Sequence, residues 1–195
     1  SEAYGTAEYV PMDESHPIKP TTPYAAGKAA ADLMIISFYN IFDLDVSILR
    51  PFNNYGPRQN EGKFAAIIPL TIKRILNGEP PVIQGDGQQT RDFIFVVDTV
   101  DAFINIYKNQ NTKGKVINVA SGVETKIESI VQIIMKYMNY SGVIIREPER
   151  LADVKRLYGD IRLAKSLVGF EPKTSFEQGI QETLDWYLSK GVKQA

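Results

Sequence analysis

The chain has 195 residues, with 22 basic and 23 acidic side chains, a single histidine (His16) and no cysteine. That length suffices for one domain or two small ones, the balanced charge offers no basic stripe for nucleic acid, and the lack of cysteine removes disulfides, thiol nucleophiles and thiolate metal sites. No run is apolar enough to span a bilayer and no signal peptide is read, so the sequence predicts a cytoplasmic protein without a membrane or nucleic-acid partner and without a bound metal.

Residues 5–22, rich in Pro, Thr, Ser and acidic side chains, read as a loop. A helix is expected over 23–41, with Thr22 as its N-cap and Pro23 in its first turn. Ala26, Ala29, Ala30, Leu33, Met34, Ser37 and Phe38 give it a small or apolar face. The aliphatic run 45–52 predicts a buried strand, and 53–63 a turn-rich loop. A helix follows over 69–78, Pro69 in its first turn and Gly78 past its end. Residues 80–109 predict a short strand, a Gly85-Asp86-Gly87 turn, a strand over Phe93 to Val96 and a helix capped by Asp98. Then come a strand (115–121), an amphipathic helix (126–138), a strand (142–147) and helices over 162–169 and 175–191, the last capped by Ser175. Strands alternate with helices, so the class is α/β.

Tyr24 and Lys28 lie four positions apart, hence on one helix face. A neighbouring ammonium favours the phenolate form of a tyrosine, and such a tyrosine can act as general base or acid on an alcohol or ketone. Asn53 carries an amide that both donates and accepts. Arg91 and Arg150 offer planar forks suited to phosphate oxygens, with Asp153 three residues beyond Arg150.

The blocks SEAYG, PYAAGK, ILRPFNNYGPRQ, GDGQQTRDFIFVVDTVDAF and ERLADVKRLYGD, in that order, resemble the extended short-chain dehydrogenase/reductase family. More narrowly, they look like its sugar-nucleotide epimerases and 4,6-dehydratases. The resemblance implies a partial Rossmann (NAD-binding) sheet, residues 1–52, carrying the Tyr/Lys helix. It implies a smaller α/β nucleotide-sugar-binding region over 53–195, some of whose elements return to that sheet. Tyr24 matches the catalytic base at the sugar 4-hydroxyl, Lys28 the lysine that holds the nicotinamide ribose, and Pro51 and Phe52 positions beside the cofactor. Asn53, Ala66, Ile67, Val82, Gln84, Arg91, Arg150 and Asp153 match substrate contacts, the acidic residue serving the ribose hydroxyls.

The family's hydroxyl residue, four positions before Tyr4, falls ahead of Ser1. The glycine-rich turn that binds the NAD pyrophosphate has no counterpart in the sequence. The chain thus reads as the C-terminal part of an enzyme, inactive by itself and homodimeric in its full-length form. Glu2 occupies the place of a catalytic base of the dehydratases, but Ser1 is a poor acid beside it. Three readings stay open: 4-epimerisation of a UDP-sugar, a nucleotide-sugar 4,6-dehydratase, and a nucleotide-sugar-binding module without catalysis.

Overall fold

The longest helix starts where Thr22 and Pro23 predict. In the computed structural model, which describes residues 1–62 and 65–192, α1 spans Pro23–Phe42, and the Thr22 side chain accepts a hydrogen bond from the Ala25 amide at 3.2 Å. Its packed face differs from the expected one. Ala25 and Ala29 are buried, whereas Leu33, Met34 and Phe38 are 60, 61 and 44 % exposed. The small alanines let the helix approach closely, and Asp32, one turn beyond Lys28, extends that face by bonding to Arg50.

The aliphatic run forms β1 (Ile48–Pro51), shorter than expected. After a break at Phe52 the chain enters β2 (Asn53–Tyr55), where the two asparagines had read as a turn. Next come α2 (Ile67–Leu76), β3 (Val82–Gln84), β4 (Thr90–Phe95) and α3 (Val96–Lys108). The second half holds β5 (Val116–Val119), β6 (Glu124–Lys126), α4 (Ile127–Tyr137), β7 (Ile145–Glu147), α5 (Arg162–Val168) and α6 (Phe176–Val192).

β6 is absent from the sequence reading, because Glu-Thr-Lys carries no apolar alternation. Ser175 caps α6 as expected, its hydroxyl accepting from the Gln178 amide. Asp98 does not cap α3. The helix begins two residues earlier, and the Asp98 carboxylate accepts from the amides of Lys173 and Thr174, 75 and 76 positions away.

The strands pair as β1 parallel to β5, as β2 parallel to β4 with β6 antiparallel on the other side of β4, and as β3 parallel to β7. β4 is the central divider. Successive strand side chains point to opposite faces, so Phe93 and Phe95 enter one core while Ile94 enters another. The first core also takes Tyr55, Ile68, Ile72, Ile83, residues of α4, and Ile180, Leu184 and Tyr187 of α6. Tyr187 is 5 % exposed and Trp186 packs partly buried against this core. A third core gathers Tyr4, Met12, Phe52, Ala120, Val154 and Leu157.

Asp92, on the Ile94 side of β4, accepts from the Ser121 amide and hydroxyl (2.7 and 2.6 Å) and from the amides of Gly122 and Gly159 (3.1 and 3.3 Å). One carboxylate thereby holds the turn after β5 and the chain leading into α5. Burial pushes its pKa up to about 6, against the pull of those donors. At Gly87 φ is +76°, and a Cβ would come within 3.0 Å of the Glu128 Cβ, so the Gly85-Asp86-Gly87 turn needs glycine there.

Candidate active site

The same alternation that splits the cores builds a binding wall. Arg91 shares a face of β4 with Phe93, and both line a cavity of about 470 Å³, within the usual range for small-molecule clefts. Asn53 reaches it from β2, Ala66 from the N-cap of α2, Ile67, Leu70, Thr71 and Arg74 from α2 itself, Val82 and Gln84 from β3, and Arg150 and Asp153 from the segment after β7. All eight positions matched to substrate contacts therefore converge here, from five separate stretches of chain, and Glu2 joins them. Thr71, Arg74, Gln89, Ile127 and Glu147 also line it and were not singled out in the sequence. Ile67, Leu70, Thr71 and Arg74 recur at helical spacing, the one signal that could have placed Thr71 and Arg74 beside Ile67.

The two arginines are held differently. Arg91 is 8 % exposed; its Nη2 bonds Asp153 Oδ1 at 3.0 Å and its Nη1 donates to the Thr90 carbonyl at 2.9 Å. Burial pulls this guanidinium down from its usual pKa, and the Asp153 carboxylate holds it up. Asp153 thus pairs across 62 positions with Arg91, not with Arg150 three residues before it. Arg150 is exposed and its Nε donates to the Gln84 side chain.

The two asparagines of β2 point to opposite faces. The Asn54 amide is spent inside the protein, its Oδ1 accepting from Thr99 Oγ1 at 2.5 Å. Asn53 lines the cavity, and its Oδ1 is buried with no hydrogen-bond partner among the described residues. An unpaired buried acceptor costs roughly 1–3 kcal/mol.

Tyr24 and Lys28 stand together, the Lys28 Nζ lying 5.7 Å from the Tyr24 ring centroid. Both are exposed, Tyr24 to 66 %. They do not line the cavity, but Thr22 and Glu2 carry its wall to the start of their helix. An adjacent, accessible phenol and ammonium can both donate hydrogen bonds to a ligand that carries hydroxyl groups. Phe52 is 3 % exposed in the third core, its amide donating to the Val119 carbonyl and its carbonyl accepting from Asn54. Its ring is packed in that core and its backbone is hydrogen-bonded at both ends. Pro51, the last residue of β1, is half-buried.

Among the described residues no helix is long and apolar enough to cross a membrane. The family profile described as GDP-mannose 4,6 dehydratase matches residues 1–183. A putative UDP-glucose 4-epimerase of Methanocaldococcus jannaschii is 34 % identical over 183 residues, covering 94 % of this chain and 59 % of that protein. Among solved structures, the UDP-N-acetylglucosamine 4-epimerase from Methanobrevibacter ruminantium M1, in complex with UDP-N-acetylmuramic acid, superposes with a TM-score of 0.90. It is 39 % identical and is matched over 97 % of this chain and 61 % of its own. A dTDP-glucose 4,6-dehydratase from Streptomyces venezuelae with NAD bound gives 0.92 at 27 % identity, over 98 and 59 %. The chain spans about three fifths of the length of these relatives. With fold, motifs and profile in agreement over nearly its whole length, the chain belongs to the NAD-dependent sugar-nucleotide epimerase/dehydratase family of short-chain dehydrogenases/reductases.

Proposed function

We propose that this chain is the substrate-binding portion of an enzyme that carries out 4-epimerisation of a UDP-sugar. The observation that carries the reading is the convergence of Asn53, Ala66, Ile67, Val82, Gln84, Arg91, Arg150 and Asp153 on one cavity. Arg91 and Arg150 would bind the diphosphate, and Asp153 the ribose, while Arg91 keeps its carboxylate oriented. Val82 and Gln84 would border the base. Tyr24 would take a proton from the sugar 4-hydroxyl and return it, with Lys28 and Pro51 beside the nicotinamide ribose. NAD, the family cofactor, supplies when bound the acceptor and donor of hydride at C4. The chain has no glycine-rich turn for the pyrophosphate of that cofactor, so the 195 residues alone are expected to bind nucleotide but not to turn over.

A second reading, 4,6-dehydration, rests on Glu2 lining the same cavity, where a carboxylate could remove a proton from the sugar. In a protein joining this chain to a nucleotide-binding N-terminal half, product mass separates the two. Unchanged mass with altered stereochemistry means epimerisation, and loss of water means dehydration.

The binding part is tested on the chain itself. Calorimetric titration should show UDP binding, and Arg150→Ala should weaken it by about ten- to a hundredfold, the worth of a charge-assisted hydrogen bond to phosphate. Absence of heat with UDP, dTDP and GDP alike would remove the nucleotide-sugar reading.

A further inference from the structure

The segment that carries Asp153 is fastened to β4 on the side of the strand turned away from the cavity. Arg91 and Phe93 line the cavity, so by strand alternation Thr90 and Asp92 point to the opposite face. Thr90 meets a different partner at each edge. On one edge it lies opposite Lys126 of β6. On the other it forms a parallel bridge with Arg156: its amide donates to the Lys155 carbonyl at 3.0 Å, and its carbonyl accepts from the Leu157 amide at 3.1 Å.

Residues directly opposite across a bridge share a face, so the Arg156 side chain joins Thr90 behind the cavity wall. There it reaches over Thr90 to β6. Its Nε and Nη2 donate to Glu124 Oε1 and Oε2 at 2.5 and 2.8 Å, and the Thr90 hydroxyl donates to the same Oε1 at 2.6 Å. The Arg156 fork on the Glu124 carboxylate has the bidentate geometry that fixes direction as well as distance. On the cavity face the same segment is held three residues earlier, by Asp153 on Arg91 Nη2 at 3.0 Å. Arg91 Nη1 in turn donates to the Thr90 carbonyl, the one that also takes the Leu157 amide. The contacts close a ring through Glu124, Thr90, Arg91, Asp153 and Arg156. Arg91 and Asp153 line the cavity, whereas Glu124, Thr90 and Arg156 do not.

We infer that Glu124 is a positioning residue, which by holding Arg156 from behind the sheet seats Asp153 on Arg91 and so sets the affinity of the cavity for a nucleoside diphosphate. This rests on the proposal that Arg91 and Asp153 contact a nucleotide sugar. Arg150 has its own anchor in Gln84, so the effect passes through Asp153. The Arg156 and Glu124 side chains are 48 and 22 % exposed, and ion pairs open to water add little to global stability. Their loss is therefore felt in the site more than in the fold.

In calorimetric titration of the chain at 25 °C, Glu124→Ala should bind UDP about three- to tenfold more weakly than the parent, the worth of one net hydrogen bond. Its melting temperature should fall by no more than about 4 °C. Arg156→Ala should weaken UDP binding to the same degree, and the double variant no further than either single one, because both act on one contact. In an Asp153→Ala background, Glu124→Ala should change UDP affinity by less than about twofold. A residue that merely supports the fold would keep its effect there. Unchanged UDP affinity in Glu124→Ala would overturn the inference and leave the nucleotide-sugar reading standing. So would a full loss that persists in the Asp153→Ala background. A fall in melting temperature larger than about 4 °C would show Glu124 serving the whole fold, and would overturn the inference too. A parent chain that does not bind UDP would overturn both readings at once.

Discussion

Tyr24→Phe should lower turnover by at least about a thousandfold, within the usual span for loss of a general acid–base group, while UDP affinity stays within about twofold. The two effects separate because the phenol stands outside the cavity. Neither Tyr24 nor Lys28 lines it, so no diphosphate, ribose or base contact changes. The substitution is also gentle on the fold. Tyr24 is 66 % exposed and belongs to no core, and phenylalanine keeps the ring beside the Lys28 ammonium. Only the oxygen that would accept and return the proton at the sugar 4-hydroxyl is lost. The assay is made in a protein that joins this chain to a nucleotide-binding half, with turnover followed by product analysis and UDP binding by calorimetry. A variant keeping a tenth or more of the parental turnover would remove Tyr24 from the chemistry.

Arg50→Ala should be the most damaging single change to stability. Arg50 lies on β1 with its side chain 6 % exposed; its Nε bonds Asp32 of α1 at 2.7 Å and its Nη1 the Tyr4 hydroxyl at 2.9 Å. The Tyr4 hydroxyl donates in turn to Asn118 Oδ1 on β5, and the Asn118 side-chain amide to the Met12 carbonyl. Removing the guanidinium strands a carboxylate that is 15 % exposed. Breaking a buried pair in this way costs roughly 3–5 kcal/mol, and for a chain of this length each kcal/mol lowers Tm by about 2–4 °C. A fall of about 10 °C or more is expected in thermal unfolding followed by circular dichroism. Asp32→Ala combined with Arg50→Ala should cost less than the sum of the two single changes, since they act on one interaction. A shift below about 2 °C for Arg50→Ala would contradict this account. Because Asp32 sits one turn beyond Lys28, the same change loosens the helix that carries the Tyr/Lys pair.

The helices were legible where local chemistry decides them. Thr22 and Pro23 fix the start of α1, Ser175 that of α6, and Gly78 follows the end of α2. The short strands were not, because β2 and β6 owe their existence to β4 and not to their own residues. Asn-Asn-Tyr and Glu-Thr-Lys become strands only through ladder bonds to a central partner. Asp98 was misjudged for a related reason, since the amides it satisfies lie 75 residues along the chain.

In the site, the family resemblance pointed to eight cavity residues, four of them (Asn53, Arg91, Arg150 and Asp153) inside the ordered motif blocks. Motifs could not show that Asp153 pairs with Arg91 instead of Arg150, or that Asn54 is spent on Thr99 while Asn53 is bare. Thr71 escaped because in sequence it is one threonine in an ordinary helix, and only its helical spacing from Ile67 ties it to the cavity wall. The outer face of α1 misled in the other direction, since aliphatic spacing says that a face is apolar and not that it is covered.

The cavity walls are drawn from Glu2 near the start of the chain to Val154 in its last quarter. No short piece of the chain can present them, so the pocket exists only when the whole molecule is folded. Occupancy and folding are then thermodynamically linked: a ligand that recognises the folded form alone, supplied at a hundred times its Kd, adds about 2.7 kcal/mol to stability. The melting curve of the unlabelled chain thereby becomes a binding assay in itself. A panel of nucleoside diphosphates ranked by the upward shift each produces would order their affinities without any catalytic turnover.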